Sequence, residues 1–115
     1  MVAAMKRIQR QRTKGWRMPD GAVYVGRPSR WGNPFRLPSA IEWGFAFDYP
    51  DARRVATRAF RSWIAGSDAW WMGEESVKTR EELVAALSLL HGKDLVCWCP
   101  LDQPCHADVL LELAA

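Results

Sequence analysis

Residues 94–115, "DLVCWCPLDQPCHADVLLELAA", change their apolar period partway along, and that change constrains the fold more than any other feature of the chain. Over the first six residues the side chains alternate, with Val96 and Trp98 facing one way and Cys97 and Cys99 the other, as on a short strand. A tight polar loop, "PLDQP", follows. Val109, Leu110 and Leu113 then recur at helical spacing, and Pro104 suits the first helical position. An apolar strand needs a neighbour, and "DGAVYVG" supplies one: a turn, a β-branched and aromatic run from Ala22 to Val25, and Gly26 to end it.

Between these two strands the pattern is helical twice. In "DYPDARRVATRAFRSWIAG", Ala52, Val55, Ala56, Phe60, Trp63 and Ile64 recur on one face, Asp51 is the expected cap and Gly66 the stop. Arg53, Arg54, Arg58 and Arg61 fall on its other faces. In "TREELVAALSLLHG", Thr79 and Glu82 form a capping-box pattern, Leu83, Leu87 and Leu90 a stripe, and Gly92 the stop. The connector "SDAWWMGEESVK" is expected to lay Trp70 and Trp71 over the edge of the core. "GRPSRWGNPFRLP", rich in glycine and proline, reads as loop. Helices between two apolar strands predict an α/β fold: a single small domain with a short, mostly parallel sheet flanked by helices. The 115 residues are enough for one modest core.

The formal charge of +3 is unevenly spread. Lys6, Arg7, Arg10, Arg12, Lys14 and Arg17 all precede the first acid, Asp20, which leaves 10 bases against 13 acids in the remainder. Residues 1–17 are therefore expected to be a basic arm and 18–115 the folded domain. Such an arm suits contact with phosphates, where each cation releases a counterion, and Trp16 could stack on a base. An apolar run of membrane-spanning length and a signal-peptide pattern are both lacking, so no membrane partner and a cytoplasmic location are expected. The three cysteines are odd in number and local, which disfavours a disulfide framework.

In an open α/β sheet, ligands gather beyond the carboxyl ends of the strands. Both unusual segments follow strands, and if those strands are parallel neighbours the two loops meet. Cys105 and His106 are expected in the first turn of the last helix, where unpaired N–H groups and the macrodipole favour a thiolate, a neutral histidine or a bound phosphate. From the facing loop, Arg27 or Arg30 would supply a bidentate partner and Ser29 a hydroxyl. Gly26 and Gly32 would permit close approach, Asn33 would give a directional hydrogen bond, and Trp31 could stack on a ligand ring.

Three readings compete for the cysteines. As a zinc site, Cys97, Cys99, Cys105 and His106 would form a Cys₃His set, against which stands their unusual spacing. As a reactive or ligand-contacting centre, Cys105 or Cys99 would be the nucleophile and His106 its base. In the third, the thiols are small buried hydrophobes. His91 is expected as a C-terminal helix cation, and Asp108 and Glu112 as solvated acids.

The two segments "GRPSRWGNPF" and "GKDLVCWCPLDQPCHADVL" together resemble a family of small bacterial and bacteriophage proteins classed as a domain of unknown function. The likeness runs from about Arg12 to the C-terminus. It implies that Gly26, Arg27, Trp31, Gly32, Asn33, Pro34, Cys97, Trp98, Cys99, Cys105 and His106 are signature positions, and it supplies no activity. His91 stands where relatives often carry arginine. A more distant likeness of the C-terminal segment to another uncharacterised family, where no zinc is expected, favours a ligand or thiol site over a metal.

The first functional expectation is a domain that binds a phosphate-bearing ligand, a nucleotide or a nucleic-acid derivative; whether it is also a nucleotide- or nucleoside-processing enzyme is left open by the sequence. The alternatives are a zinc-stabilised nucleic-acid-binding module and a phage-type accessory protein that binds a host protein without performing chemistry.

Overall fold

The computed structural model describes residues 5–27, 29–67 and 75–115. Three strands form its sheet: β1 (Arg7–Gln9), β2 (Val23–Tyr24) and β3 (Leu95–Cys97), in the order β1-β3-β2 and all parallel. The last strand in sequence is thus the centre of the sheet. Leu95 pairs with Arg7 on one side and Val23 on the other, and Val96 pairs with Ile8 and Tyr24. Two bonds to β3 carry the ladders one residue past the ends of β1 and β2, Arg10 N–H to Cys97 O at 2.8 Å and Val25 N–H to Val96 O at 2.9 Å.

β1 is a correction to the expected arm. Arg7–Gln9 is an edge strand, and the charge of residues 1–17 hid it because only Ile8 interrupts the polar run with a strand former. An edge strand needs no apolar alternation on its solvent side, so cations are tolerated there.

Among the described residues four helices accompany the sheet: α1 (Leu37–Glu42), α2 (Tyr49–Ile64), α3 (Glu75–Ala85) and α4 (His106–Ala114), with a 3₁₀ turn at Leu87–Leu90. None of the helices among the described residues is long and apolar enough to cross a membrane. α1 begins on Leu37 and Pro38, the last two residues of the stretch expected to be loop, and its six residues carry no side-chain cap. α2 is capped by Asp48, not Asp51: the Asp48 carboxylate accepts the Asp51 N–H at 2.9 Å, while Asp51 accepts from Phe47 N–H at 3.0 Å. The cap therefore sits three residues upstream of the expected one, with Pro50 accommodated in the first turn. α3 starts before Thr79, so the Thr79–Glu82 pair lies inside a helix instead of opening one. Trp70 and Trp71 lie outside the described residues.

The core forms where α2 and α4 pack over the sheet. Ala56, Ala59, Phe60 and Trp63 of α2 meet Ala107, Val109, Leu110 and Ala114 of α4, together with Val25, Leu95 and Cys97. Small residues on both helices let them approach closely, and the aromatic rings fill the space above β3. Trp63 stands edge-on to Phe35 at 6.1 Å and tilted against Phe60 at 5.8 Å. Leu113, expected in the buried stripe, is 47% exposed, and the stripe runs instead through His106, Leu110 and Ala114.

α4 is tied to both edge strands at its N-terminal end. From β1, the Arg7 Nη2 group donates to the carbonyls of Leu101 at 2.9 Å, Gln103 at 2.7 Å and Pro100 at 3.3 Å, and Nε lies 3.4 Å from Asp108 Oδ1. Just past the end of β2, the Val25 carbonyl receives His106 Nε2–H at 2.7 Å. The Arg7 side chain is 8% exposed, so losing it strips the part-buried Pro100 and Gln103 carbonyls of a charged donor. Arg7→Ala is expected to cost about 3 kcal/mol in urea-unfolding measurements, whereas exposed Arg12→Ala should fall within about 0.5 kcal/mol of the unaltered protein. Equal effects of the two substitutions would contradict the clamp.

Candidate functional site

Because β2 and β3 are parallel neighbours, the loops that leave their carboxyl ends open on the same side of the sheet, and a cavity of about 370 Å³ lies between them. Its lining draws on both segments singled out in the sequence: Gly26, Arg27 and Asn33 from the first, and the three cysteines with His106 from the second. α2 closes a third side with Arg53, Ala56 and Thr57, while the rings of Tyr24 and Trp98 stand at the wall.

The cysteines converge for separate local reasons. Cys97 and Cys99 lie on one side of the β3 extension, with sulfurs 3.7 Å apart. Cys105 is brought back over the strand end as the N-cap of α4, its sulfur 3.5 Å from that of Cys97. The three sulfurs lie within 4.8 Å of one another. Cys105 is the N-cap and not part of the first turn, and Pro104 lies before it, two positions ahead of the first helical residue it was expected to be. A reciprocal cap fixes its backbone: Asp108 Oδ2 accepts the Cys105 N–H at 3.1 Å, and the Asp108 N–H bonds Cys105 O at 3.0 Å.

That cap changes the electrostatics of the helix start. The expected anion position is filled by the protein's own Asp108, paired with Arg7, which corrects its expected role as a solvated acid. Glu112 likewise pairs with Arg61. His91 Nδ1 lies 2.9 Å from Ala114 O, at the end of α4 and away from the cavity.

His106 is buried in the core edge-on to Phe60 at 5.3 Å. A carbonyl can only accept, so Nε2 carries the hydrogen shared with Val25 O, and Nδ1 presents its lone pair 3.5 Å from the Cys105 sulfur. Burial lowers the His106 pKa, which keeps the ring neutral.

Within the thiol cluster the negative charge gathers on Cys97. Hydrogen bonds from the Cys105 and Cys99 thiols hold it down to about 2. Cys105 is raised by donating to Cys97 and Cys99 and by burial. For Cys99, contact with Cys105 pulls down, but donation to Cys97, burial and the charge on Cys97 outweigh it, so its thiol is pushed up to about 11.

The remaining predicted site residues divide. Arg27 is exposed at the cavity, with Nη1 3.3 Å from Asn33 O. Asn33 spends its amide on the fold, donating to Ala56 O at 3.2 Å and accepting the Phe35 N–H at 2.9 Å. At Gly32 a Cβ would come within 2.9 Å of the Arg27 side chain and 3.1 Å of its Cα, and at Gly26 one would meet the Tyr24 hydroxyl at 2.4 Å. Both glycines let the loop fold upon itself. Ser29, Arg30, Trp31 and Gly32 do not line the cavity; Arg30 lies over the Trp31 ring at 5.4 Å, and Trp31 packs against the core.

Sequence reasoning missed Arg7 and Arg53. Arg53 Nη1 donates to Gln103 Oε1 at 2.8 Å, pinning the cysteine loop to α2. Their only signal was charge, and neither the basic segment nor the polar helix face marks which cation turns inward.

A proton shared this way has a measurable sign. Cys97 ionises far below an unfolded thiol at 9.0, so its contribution to stability is present above that value and lost as pH falls toward about 2. Cys99 acts oppositely: its share is present below 9.0 and lost as pH rises through about 11. With chelator present, the native protein at pH 7 is expected to show one thiolate's ultraviolet absorbance per chain, lost on unfolding in urea and in Cys97→Ala. A native spectrum without thiolate would contradict this.

Among curated proteins and solved structures, nothing matches the chain. A family model matches residues 8–115, from the second residue of β1 to the end of the chain, and therefore spans the cavity with both loops and all three cysteines. The chain belongs to that family, described as a domain of unknown function (DUF4326).

Proposed function

We propose that the cavity receives a phosphate-bearing ligand about the size of one nucleotide. The observation that carries this reading is the lining itself: Arg27 and Arg53, with no Asp or Glu beside them among the described residues that line the cavity. A space of about 370 Å³ at the carboxyl ends of parallel strands suits a small molecule. Phosphate oxygens would take the arginines, which supply planar paired donors. The rings of Tyr24 and Trp98 offer faces for a base or sugar. Asp108 already occupies the start of α4, so the arginines carry the charge recognition without the helix end.

Chemistry on the ligand would fall to the thiol floor. Cys99 is the most accessible of the three sulfurs, and Cys105 with His106 Nδ1 behind it forms the pair through which a proton can pass. Transfer or hydrolysis at a nucleoside fits that set.

A second reading, a nucleic-acid strand as ligand, has its own observation. Arg10 lies between the rings of Tyr24 and Trp98, at 4.8 and 4.9 Å, and Arg12 covers Trp98 at 4.5 Å. This cation–aromatic stack joins the basic N-terminal segment to the cavity wall, and stacked rings beside exposed cations suit single strands.

Thermal-shift and calorimetric titrations with the four common 5′-nucleoside monophosphates, the nucleosides and inorganic phosphate test the first reading. At least one monophosphate is expected to bind more tightly than its nucleoside, and Arg53→Ala or Arg27→Ala to weaken it about tenfold or more. Equal affinity of monophosphate and nucleoside, or indifference to both substitutions, would overturn it. A short single-stranded oligonucleotide that binds more tightly than any monophosphate, with steep salt dependence lost in an Arg10→Ala, Arg12→Ala double variant, would establish the strand reading instead.

A further inference from the structure

We infer that Cys97, Cys99 and Cys105 together hold one thiophilic divalent cation, zinc by ligand type, as a three-thiolate centre whose remaining coordination position belongs to the cavity and not to His106.

The spacing of the sulfurs is the first support. Sulfurs bound to one tetrahedral zinc at about 2.3 Å stand roughly 3.8 Å apart. Cys97 lies 3.7 Å from Cys99 and 3.5 Å from Cys105, and the whole set closes within 4.8 Å. Three thiols that merely fill a core have no reason to point their polar atoms at a common centre, because a sulfur packs equally well against carbon.

The position of the histidine is the second. His106 meets the cluster at Cys105, and its nitrogens are not part of the close group. Its Nε2–H is committed to Val25 O at 2.7 Å, which holds the ring in place behind the sulfurs. The four-ligand Cys₃His set expected from the sequence thus reduces to three sulfurs, and His106 becomes a positioning residue that can accept the Cys105 proton.

The surroundings are the third. All three cysteines line the cavity, and among the described residues no carboxylate lines it to complete the set. Three protein ligands facing a cavity are the pattern of a centre that keeps a place for water or a ligand. On binding, the thiols give up the protons they still carry to solvent, and the resulting Zn(SR)₃ unit has a net charge of −1. The shell that such a centre needs is present: the Arg7 clamp and the Asp108 cap fix the segment carrying Cys99 and Cys105. With the metal in place the sulfurs act as ligands, and the nucleophilic role proposed for them gives way to activation of whatever takes the open position.

Titration of the reduced, tag-free full-length protein with cobalt(II) under anaerobic conditions tests this without any nucleotide, so it stands or falls apart from the phosphate reading. One cobalt per chain is expected, with thiolate-to-cobalt charge transfer, a tetrahedral visible spectrum, displacement by zinc, and protection of three thiols from alkylation. Affinity should rise with pH. Cys99→Ser, at a half-buried position, should lose roughly a hundredfold in affinity. Added imidazole should shift the visible bands of the unaltered protein, and His106→Gln should keep the charge-transfer band. Absence of stoichiometric cobalt binding would overturn the inference. So would a spectrum that ignores imidazole and collapses in a folded His106→Gln protein, since that would make His106 the fourth ligand.

Discussion

One buried guanidinium organises the site. Arg7 leaves the edge strand β1, crosses the carboxyl end of β3, and binds three carbonyls of the loop between Cys99 and Cys105 along with the Asp108 carboxylate. A loop of five residues that reverses the chain has backbone acceptors it cannot satisfy internally, and burying them unpaired would be costly. Arg7 meets that need from outside the loop. On the other flank His106, the first residue of α4, bonds the Val25 carbonyl just past β2. α4 is therefore fastened to both edges of a sheet whose centre is β3, and the residue at its start, Cys105, comes to rest over the end of that centre, beside Cys97.

The same arrangement explains how a sheet with strands of two and three residues persists. So few ladder bonds contribute little alone. Stability comes instead from α2 and α4 burying aromatic and aliphatic surface over β3, and from polar ties that cross between elements distant in sequence. The cost is a cluster of thiols in a low-dielectric setting. It is relieved by sharing protons: Cys97 accepts from its two neighbours, and their hydrogen bonds hold the negative charge on its sulfur.

Much of this was legible in the chain. The period change at residues 94–115 gave β3 and α4, the Ala22–Val25 run gave β2, and the expectation that two loops meet beyond parallel strands follows from those elements alone. What stayed hidden has a common physical character. β1 is an edge strand three residues long and mostly polar, so its evidence is a partner, not a pattern. α1 spans six residues without a side-chain cap and lies among prolines that argue for loop. Asp108 looked like one acid among several on a helix, yet its place three residues after Cys105 makes it the cap. Asn33 and Gly32, which resemble ligand-binding residues in sequence, serve loop closure because the nearest groups to satisfy are those of the loop itself. Sequence identifies the chemical type of these side chains, and only the packing decides whether each faces ligand or backbone.

The central claim is that the fold delivers three thiols to one point from β3 and from the start of α4. Arsenite reports on this directly, because trivalent arsenic takes three thiols at once and releases three waters. Native mass spectrometry of the reduced protein after brief exposure is predicted to show one arsenic per chain, with all three cysteines blocked, and no such adduct under denaturing dilution. Retention of one freely alkylated cysteine in the folded adduct would contradict the account, and if that residue is Cys105, the contact between the strand end and the helix start is not formed in solution.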